Sequence, residues 1–378
     1  MKPRRALPLL ALLPLLAWAA ACSPEPRVAR IAVAVPLTGD LSAGGQGVRR
    51  AVELSVEHAR AQGGLPVPVE VVAFDDRAEP DTAVRAARLI LADPRVVAVI
   101  GHYTSGCSLA AAPIYAAGSL AMLTPAATHP RLTAAQLEPG WPGPRNVFRL
   151  VPTDELQADR AAASAVDRGL RRFTVLHDGT PYGRNLSEQF ARRLERSGGR
   201  VAGLRGVPVG ARDYGGLVEK VRADRPEAVF FGGAYPEFGL LLAQARRAGL
   251  KVPFLAGDGA RAVEVFSLAG DAAEGALFTA PGRPLEKLDR GAEFLDAYRR
   301  RYPGAEPGPF DVFAYDAASI ALEALRRAGP QRGPLLEALR GTRWRGLAGT
   351  TSFDRKGDTT LRSVTLYRAS KGRFVPVD

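Results

Sequence analysis

An uninterrupted apolar run, Val96 to Ile100, leads into the segment GHYTSG (101–106), and an alanine-rich stretch follows directly. Continuous apolar runs of this kind are typical of parallel strands that helices cover on both faces. The segment after the run carries three hydroxyl side chains between two glycines. A buried strand therefore delivers the chain to the start of a helix through polar residues. That arrangement suits either a plain capping turn or the floor of a binding site.

Strand and helix patterns alternate along most of the chain. Before residue 150 they predict strands at 31–37, 69–75, 96–101 and 120–124. After it they predict strands at 173–177, 201–207, 228–232, 254–257 and 276–280, and helices at 155–169, 182–197, 214–224 and 236–249. The tail returns to helices at 289–302 and 312–328 and to short strands near 350–353 and 362–367. Since 378 residues exceed one ordinary core, the sequence predicts an α/β fold with two doubly wound lobes.

The N-terminus has the features of an export signal. Residues 1–21 combine three basic residues with an apolar stretch that two prolines interrupt, which suits a signal peptide better than a membrane span. The sequence Ala19–Cys22 resembles the lipobox of bacterial lipoproteins, in which the cysteine is lipidated. We therefore expect residues 22–27 to be a lipidated cysteine and a tether. The protein is then exported to the periplasm or cell surface and anchored to a membrane through Cys22.

Charge and cysteine usage narrow the class of partner. The formal net charge is +12, but the basic residues are spread along the chain, and zinc-finger spacings and sustained basic runs are missing from the sequence. We therefore predict no nucleic-acid partner.

Cys107 is the only cysteine after Cys22, so an internal disulfide is impossible in the mature chain. A small buried residue is the favoured interpretation of Cys107.

Enzymatic motifs find little support in the sequence. Ser105 and Cys107 are possible nucleophiles, but G-x-S-x-G is not met around them, and the four histidines lack H-E-x-x-H spacing. No glycine is followed directly by lysine, which excludes a Walker A loop. The pair Asp75–Asp76 favours a capping role. We predict no catalytic residues, no cofactor and no metal site, and keep a hydrolase using Ser105 or Cys107 as the alternative from another class.

A ligand-binding protein with a cleft is the second class of function that the sequence suggests. Five segments follow predicted strands, where α/β sheets bind ligands: 101–106, 123–133, 175–186, 230–239 and 254–261. Free N–H groups at a helix start suit a carboxylate, and the hydroxyls of Ser105 and Thr128 could orient it. Asp258 could hold an ammonium group from the other lobe. An anion site on one lobe and Asp258 on the other would suit an α-amino acid zwitterion. Helix capping alone explains the same residues, and the residues by themselves do not decide between the two interpretations.

Longer segments carry a family resemblance. They are VIGHYTSGCS (99–108), IYAAGSLAMLTPAATHPRLT (114–133), LHDGTPYGRNL (176–186), GGAYPEFGLLLAQARRAGLK (232–251) and GTTSFDRKGD (349–358). In this order they resemble the branched-chain amino acid-binding proteins of ABC importers, which are type I periplasmic binding proteins, from about residue 28 to the C-terminus. The resemblance implies two α/β lobes joined by a three-crossing hinge. It places lobe one at 28–150 and 281–355, and lobe two at 151–280 and 356–378.

The resemblance also implies roles for particular residues. It assigns the ligand carboxylate and amine to Ser105 and to the segment Ala126, Ala127 and Thr128. Tyr103 and Thr104 line the side-chain pocket, and Phe310 lies near it. Tyr182 covers the ligand, and Asp258 stands where the family has an acid, usually Glu, for the ammonium.

This chain departs from the family at several positions. Gly44 and Ala234 replace two aromatic residues, and Tyr235 could restore one of those contacts. Ala78 and Thr104 replace a cysteine pair that forms a disulfide in some members.

The resemblance implies a receptor that delivers its solute to an ABC permease, which works with a separate ATPase. We expect a monomer that binds a branched-chain or related amino acid and closes by a hinge motion. The altered aromatic positions keep three alternatives open: an amide or urea-like ligand, an aromatic carboxylate, or a sensory role.

Overall fold

The structure is a computed structural model that describes residues 28–377. The predicted signal peptide, Cys22 and the tether lie outside the described residues. Across residues 28–377, no helix combines the length and apolar character needed to cross a membrane. The predicted fold class, doubly wound α/β with parallel sheets, is confirmed.

The first part of the chain forms a parallel sheet with helices on both faces. Its strands are β1 (Ala29–Val35), β2 (Val69–Asp75), β3 (Val96–Gly101), β4 (Ala121–Thr124) and β5 (Val147–Arg149). The helices between them are α1 (Ser42–Gln62), α2 (Pro80–Ala92), α3 (Ser105–Ala117) and the short α4 (Arg131–Ala134). The strand order is β2-β1-β3-β4-β5. Both faces of β3 are buried, with Val97 and Ile100 in one core and Val96 and Val99 in the other.

The next part repeats this design. Its helices are α5 (Asp154–Asp167), α6 (Pro181–Arg196), α7 (Gly215–Ala223), α8 (Tyr235–Arg247) and α9 (Glu264–Ala269). Its strands are β6 (Arg172–His177), β7 (Arg200–Gly206), β8 (Ala228–Gly232), β9 (Phe254–Ala256) and β10 (Leu277–Pro281). Read from the edge, the order β7-β6-β8-β9-β10 has the same topology as the first sheet.

The rest of the chain serves both sheets in turn. Helices α10 (Gly291–Arg301), α11 (Asp311–Ala328) and α12 (Arg332–Arg340) pack on the first sheet, and a ribbon of β11 (Arg343–Arg345) and β12 (Thr350–Ser352) follows. Strands β13 (Val364–Ser370) and β14 (Arg373–Pro376) then extend the second sheet with antiparallel pairing. We call each sheet with its packed helices a lobe. The chain passes between the lobes at 150–153, 282–290 and 353–363.

The shared topology places two crevices face to face. In doubly wound sheets, ligands bind beyond the carboxyl ends of the strands where the strand order reverses. In the first lobe this point lies between β1 and β3, and in the second between β6 and β8. The segments that leave these four strands are those that follow Val35, Gly101, His177 and Gly232. The fold thus brings two ligand-binding edges together between the lobes.

A buried ion pair joins two of the crossings. Arg149 has no exposed surface, and its guanidinium donates to Asp358 Oδ1 from Nε (2.9 Å) and Nη2 (2.5 Å). It also donates to the carbonyl of His129 (2.7 Å) and to the Thr133 hydroxyl (2.6 Å). The backbones are joined as well, since the Thr359 N–H donates to the Arg149 carbonyl (3.0 Å). The first and third crossings are therefore held as one unit.

The patterns missed helix α12 and two very short strands. β5 and β11 have three residues each, too few to show a period, and the two arginines of β11 are exposed. The strand predicted near 362–367 lies at Val364–Ser370, because its register is set by pairing with β10. Short strands depend on their partners in the sheet, and those partners are distant in sequence.

The Arg149–Asp358 pair gives a testable stability effect. Asp358→Asn keeps the shape of the side chain but leaves a guanidinium buried without a counter-charge, which should destabilise the protein by about 3–5 kcal/mol. The measurement is the shift of the urea unfolding midpoint. Glu306→Gln is the control, because Glu306 pairs with Arg299 (2.8 Å) on the exposed surface and should cost less than about 1 kcal/mol. Equal effects of the two substitutions would contradict this account of Arg149.

Candidate functional site

A cavity of about 430 Å³ lies between the two lobes at the paired crevices. It falls within the range of small-molecule sites. Residues from the first lobe that line it include Asp40, Leu41, Arg77, Glu79, Tyr103, Thr104, Ser105, Gly106, Ala126 and Phe310. Those from the second lobe include Asp178, Pro181, Tyr182, Ala234, Tyr235, Glu237, Asp258 and Gly259.

The start of α3 forms one wall of the cavity. Thr104 is the N-cap residue, and its hydroxyl accepts the N–H of Cys107 at 3.4 Å. The first N–H groups of a helix have no acceptor within the helix, and here Ser105 and Gly106 border the cavity. The positive end of the helix dipole adds to their attraction for an anion. This wall suits a carboxylate.

The loop after β4 is tied to that wall. Thr124 donates its hydroxyl hydrogen to the carbonyl of His102 (3.0 Å) and accepts the N–H of Ala127 (3.0 Å). The Ser105 hydroxyl oxygen accepts the N–H of His129 (3.3 Å), which leaves the hydroxyl hydrogen free to donate. Hydrogen bonds therefore join the two segments, and Ser105 is one of the joining residues.

Asp75 and Asp76 do not cap α2, so the capping prediction for this pair is wrong. The helix begins at Pro80 with Glu79 as its N-cap residue. Asp75 instead accepts the N–H of Leu37 at 2.8 Å. The carboxylate of Asp76, which is fully buried, lies 2.6 Å from Nδ1 of His102. A buried partner across the sheet outcompetes a local turn, and sequence spacing does not reveal it.

Asp258 faces the cavity from the second lobe. It begins a 3-10 turn after β9 and is 2 % exposed. Its Oδ1 accepts the hydroxyl of Tyr182 (2.6 Å) and the N–H of Gly259 (3.0 Å). Its Oδ2 is buried and has no hydrogen-bond partner among the described residues. Burial raises the pKa of this carboxyl to about 6, so a cation placed at Oδ2 would be strongly favoured.

One direct contact spans the mouth of the cavity. The Tyr235 hydroxyl, at the start of α8, donates to the backbone carbonyl of Asp40 in the first lobe. Gly106 and Pro181 also approach each other here, since a Cβ at Gly106 would lie 3.6 Å from Pro181. The structure therefore has its lobes in contact around the cavity.

Tyr103 fills the space that a side chain at position 44 would need. A Cβ built on Gly44 would lie 2.5 Å from the Tyr103 hydroxyl oxygen. The ring also packs edge-on against Phe310, with ring centroids 5.3 Å apart. The missing aromatic side chain at 44 is thus matched by an aromatic ring that reaches the same place from the opposite loop.

Most of the residues that the sequence singles out meet at this cavity. Those that line it are Tyr103, Thr104, Ser105, Ala126, Tyr182, Tyr235, Asp258 and Phe310. Ala127 and Thr128 do not line it: both are buried behind Ala126, and Ala127 packs in the core beneath the sheet. The Thr128 carbonyl accepts the N–H of Asp154 (3.0 Å) across the first crossing.

Sequence reasoning missed two acidic residues in the wall. Asp178 accepts the N–H of Ala234 (3.2 Å) and that of Thr180 (3.0 Å), and Glu237 accepts the N–H of Gly210 (3.0 Å). Burial raises the pKa of both carboxyls. Their partners are loop backbone groups, so these carboxylates shape the loops. Asp178 directly follows β6, and Glu237 lies in the first turn of the helix that follows β8, and these positions were the available signal.

A catalytic arrangement finds no support in the geometry of the two possible nucleophiles. Cys107 is fully buried, and burial raises the pKa of its thiol to about 12. The predicted small buried residue is confirmed at this position. Ser105 bonds to a backbone N–H of His129 and not to a ring nitrogen. Across residues 28–377, no cluster of three or more histidine, cysteine or acidic side chains is arranged to hold a metal ion.

Comparisons with known proteins agree with this geometry. The sequence profile of the periplasmic binding protein family matches residues 28–373. The chain is 32 % identical over 355 residues to Leu/Ile/Val-binding protein homolog 2 of Brucella abortus, covering 90 % of each. It is 31 % identical over 347 residues to the leucine-, isoleucine-, valine-, threonine- and alanine-binding protein of Pseudomonas aeruginosa, again covering 90 % of each. A solved leucine-binding protein of Thermotoga maritima superposes with a TM-score of 0.85 at 31 % identity, over 93 % of this chain and 98 % of that one.

The burial of Cys107 predicts an unreactive thiol. In a Cys22→Ser variant, we expect no reaction with an aromatic disulfide reagent at pH 8 until the protein unfolds in guanidinium. The Cys107 thiol is neither exposed to the reagent nor ionised to the reactive thiolate in the folded protein. The readout is the absorbance of the released thiolate before and after denaturant is added. Rapid labelling of the folded protein would contradict the structure and would reopen a nucleophilic role for Cys107.

Proposed function

The chain belongs to the periplasmic binding protein family, and we propose that it is the extracytoplasmic solute receptor of an ABC importer. It binds a branched-chain or related α-amino acid between its lobes. The observation that carries this proposal is the unpartnered Asp258 Oδ2, which is buried across the cavity from the start of α3. An acceptor for a cation and a set of N–H donors for an anion face each other, as the two charges of an amino acid require.

The orientation of the ligand follows from these two walls. The carboxylate lies at the N–H groups of Ser105 and Gly106 and accepts the Ser105 hydroxyl. The ammonium donates to Asp258 Oδ2. Asp258 is one methylene shorter than the Glu that is usual in the family, and Tyr182 compensates by holding the other carboxylate oxygen in place (2.6 Å).

The ligand side chain then points toward Tyr103 and Phe310. These rings, with Leu41 and Ala126, form one apolar part of the cavity wall. Each Å² of apolar surface removed from water contributes about 25 cal/mol of favourable free energy. Burial of the ligand side chain therefore selects leucine, isoleucine or valine over polar amino acids. Thr104 and Tyr235 complete the proposed set at the rim, whereas Ala127 and Thr128 act from behind through the loop that carries Ala126.

The unpartnered carboxylate also favours this ligand over the alternatives. An amide, a urea-like compound or an aromatic carboxylate carries no cation, and would leave Asp258 buried with an unsatisfied charge. A sensory role would use the same cleft and differs only in the partner. Because neither Ser105 nor Cys107 has a side-chain base as a hydrogen-bond partner among residues 28–377, we assign no catalytic step to this chain.

Delivery of the ligand uses the two lobes as a hinge. The ligand contacts both lobes at once, so it stabilises the closed form in which Tyr235 meets Asp40. We propose lobes at 28–150 with 281–355 and at 151–280 with 356–378. The closed receptor, a monomer anchored through Cys22, docks on a membrane permease whose separate ATPase supplies the energy.

The ammonium contact predicts a large effect of one substitution. Leucine, isoleucine and valine should each raise the melting temperature of the protein, since a ligand that binds only the folded state stabilises it by mass action. Asp258→Asn should weaken binding at least about 30-fold, because it removes one partner of a buried charge pair worth about 2 kcal/mol or more. Isothermal titration calorimetry measures the affinity.

Asp271→Asn is the matched control, the same change at an exposed position of the same lobe, and it should leave the affinity within about twofold. Two outcomes would contradict the proposal. One is no thermal shift with any of the three amino acids, and the other is equal affinity of Asp258→Asn and the unaltered protein.

A further inference from the structure

Unsatisfied polar atoms gather behind the Asp258 wall. Thr128 Oγ1, Asp154 Oδ1, Gln157 Nε2 and Asp258 Oδ2 are all buried without a hydrogen-bond partner among the described residues. Each of these four residues is at most 2 % exposed. Buried polar groups are nearly always paired, so a group of four marks a place where protons or a ligand complete the bonding.

Two helices, α5 and α6, bind the carboxylates of Asp154 and Asp258 in the same buried region. On α6, Tyr182 donates to Asp258 Oδ1 (2.6 Å), and Asn185, three residues later on the same face, donates to Asp154 Oδ2 (2.6 Å). On α5, Asp154 opens the helix and Gln157, three residues later, accepts the N–H of Asp258 (3.4 Å). Both carboxylates therefore lie between the same two helices. One oxygen of each is held at 2.6 Å, and the Thr128 and Gln157 side chains also favour the ionised forms of Asp154 and Asp258 respectively.

Neither carboxylate forms an ion pair with an arginine or lysine among residues 28–377. Burial raises the pKa of Asp154 to about 7, and the negative charge of Asp258 adds to that rise. The charged group that favours ionised Asp154 is Arg149, whose guanidinium is already bonded to Asp358. The other titratable groups whose charges interact with the pair are Tyr182 with both carboxyls, and Tyr103 and Arg261 with Asp258. The two tyrosines stay neutral near pH 7, because burial raises their pKa values.

We propose that Asp154 is a positioning residue of the ligand site: it forms with Asp258 one buried carboxylate pair that shares a proton in the empty receptor and releases it to solvent when the ligand ammonium binds. This inference rests on the proposed function. Asp154 does not line the cavity, so it acts through Asp258 and through the Thr128 carbonyl, which accepts its N–H.

The direction of the pH effect follows from charge. An ammonium beside the pair stabilises both ionised carboxylates and lowers their pKa values, so the bound state holds fewer protons than the empty state. Affinity must then rise with pH while the empty pair still holds a proton. Affinity decreases as the pH falls through about 7, where Asp154 takes up its proton, and decreases further through about 6, where Asp258 does. Affinity is constant above about pH 8, where the empty pair is already ionised.

The experiment is calorimetric titration of leucine at pH 6.5 in two buffers of different ionisation enthalpy, phosphate and imidazole. Carboxyls with pKa values of about 7 and 6 hold about one proton between them at that pH, so the unaltered protein should release close to one proton per ligand. Asp154→Asn should release about a quarter of a proton or less. It should also lose most of the affinity change between pH 6 and 8.

Asp316→Asn is the control, because Asp316 is equally buried in the first lobe with a pKa raised to about 7, away from the cavity wall. It should release as many protons as the unaltered protein. Asn185→Ala gives a second reading if Asp154→Asn does not fold. It removes the donor to Asp154 Oδ2, so the release should extend to higher pH.

The outcomes separate two failures. If leucine, isoleucine and valine do not bind at any pH, the proposed function is wrong. If leucine binds but the unaltered protein releases less than about 0.2 proton at pH 6.5, or Asp154→Asn releases as much as the unaltered protein, the carboxylate pair is overturned while the receptor assignment stands.

Discussion

Arg149 places a permanently charged guanidinium at a position with no exposed surface, and residues from several parts of the fold supply its hydrogen-bond partners. Its five N–H donors are used on Asp358 in the third crossing, on the Thr133 hydroxyl and on carbonyls of the loop after β4. Because that loop also carries Ala126 and binds Ser105 through His129, one guanidinium fixes the hinge and one wall of the cleft together. A charge buried in this way keeps the two crossings in register while the lobes move about them.

The cleft itself follows from topology used twice. Each lobe has a sheet whose strand order reverses beside its first strand, and each opens a crevice at that point. The first lobe offers a helix start and the Ser105 hydroxyl, with exposed charges at Asp40, Arg77 and Glu79, and the second offers buried carboxylates. This division of charge explains why neither lobe alone makes a site for a zwitterion, and why ligand binding and lobe closure are one event. The proposed role of Asp154 extends the same logic: a proton neutralises one of the two buried carboxylates until the ligand ammonium takes its place.

How much the sequence predicts depends on whether a feature is local. The buried run of β3 and the polar segment after it are local, and such patterns predicted the fold class. With the family resemblance they also led to ten proposed site residues, of which eight line the cavity. Tyr103 filling the space above Gly44 is not local, because Gly44 lies in the first turn of α1 and Tyr103 precedes α3, and the two meet only in the folded protein. The same holds for Asp76, whose partner His102 lies across the sheet, and for Asp154, whose burial depends on the packing of α5 against α6. The short strands β5 and β11 were missed for the related reason that their partners, and not their own residues, define them.

The central claim is that an amino acid lies between the lobes with its ammonium at Asp258 and its carboxylate at the start of α3. The most direct test is a crystal structure of the protein grown with leucine. We predict density for one leucine in the cavity, with its nitrogen within about 3 Å of Asp258 Oδ2 and its carboxylate within hydrogen-bond distance of the Ser105 hydroxyl. Leucine bound in the reverse orientation, or bound outside the cleft while the cavity holds only water, would contradict the account.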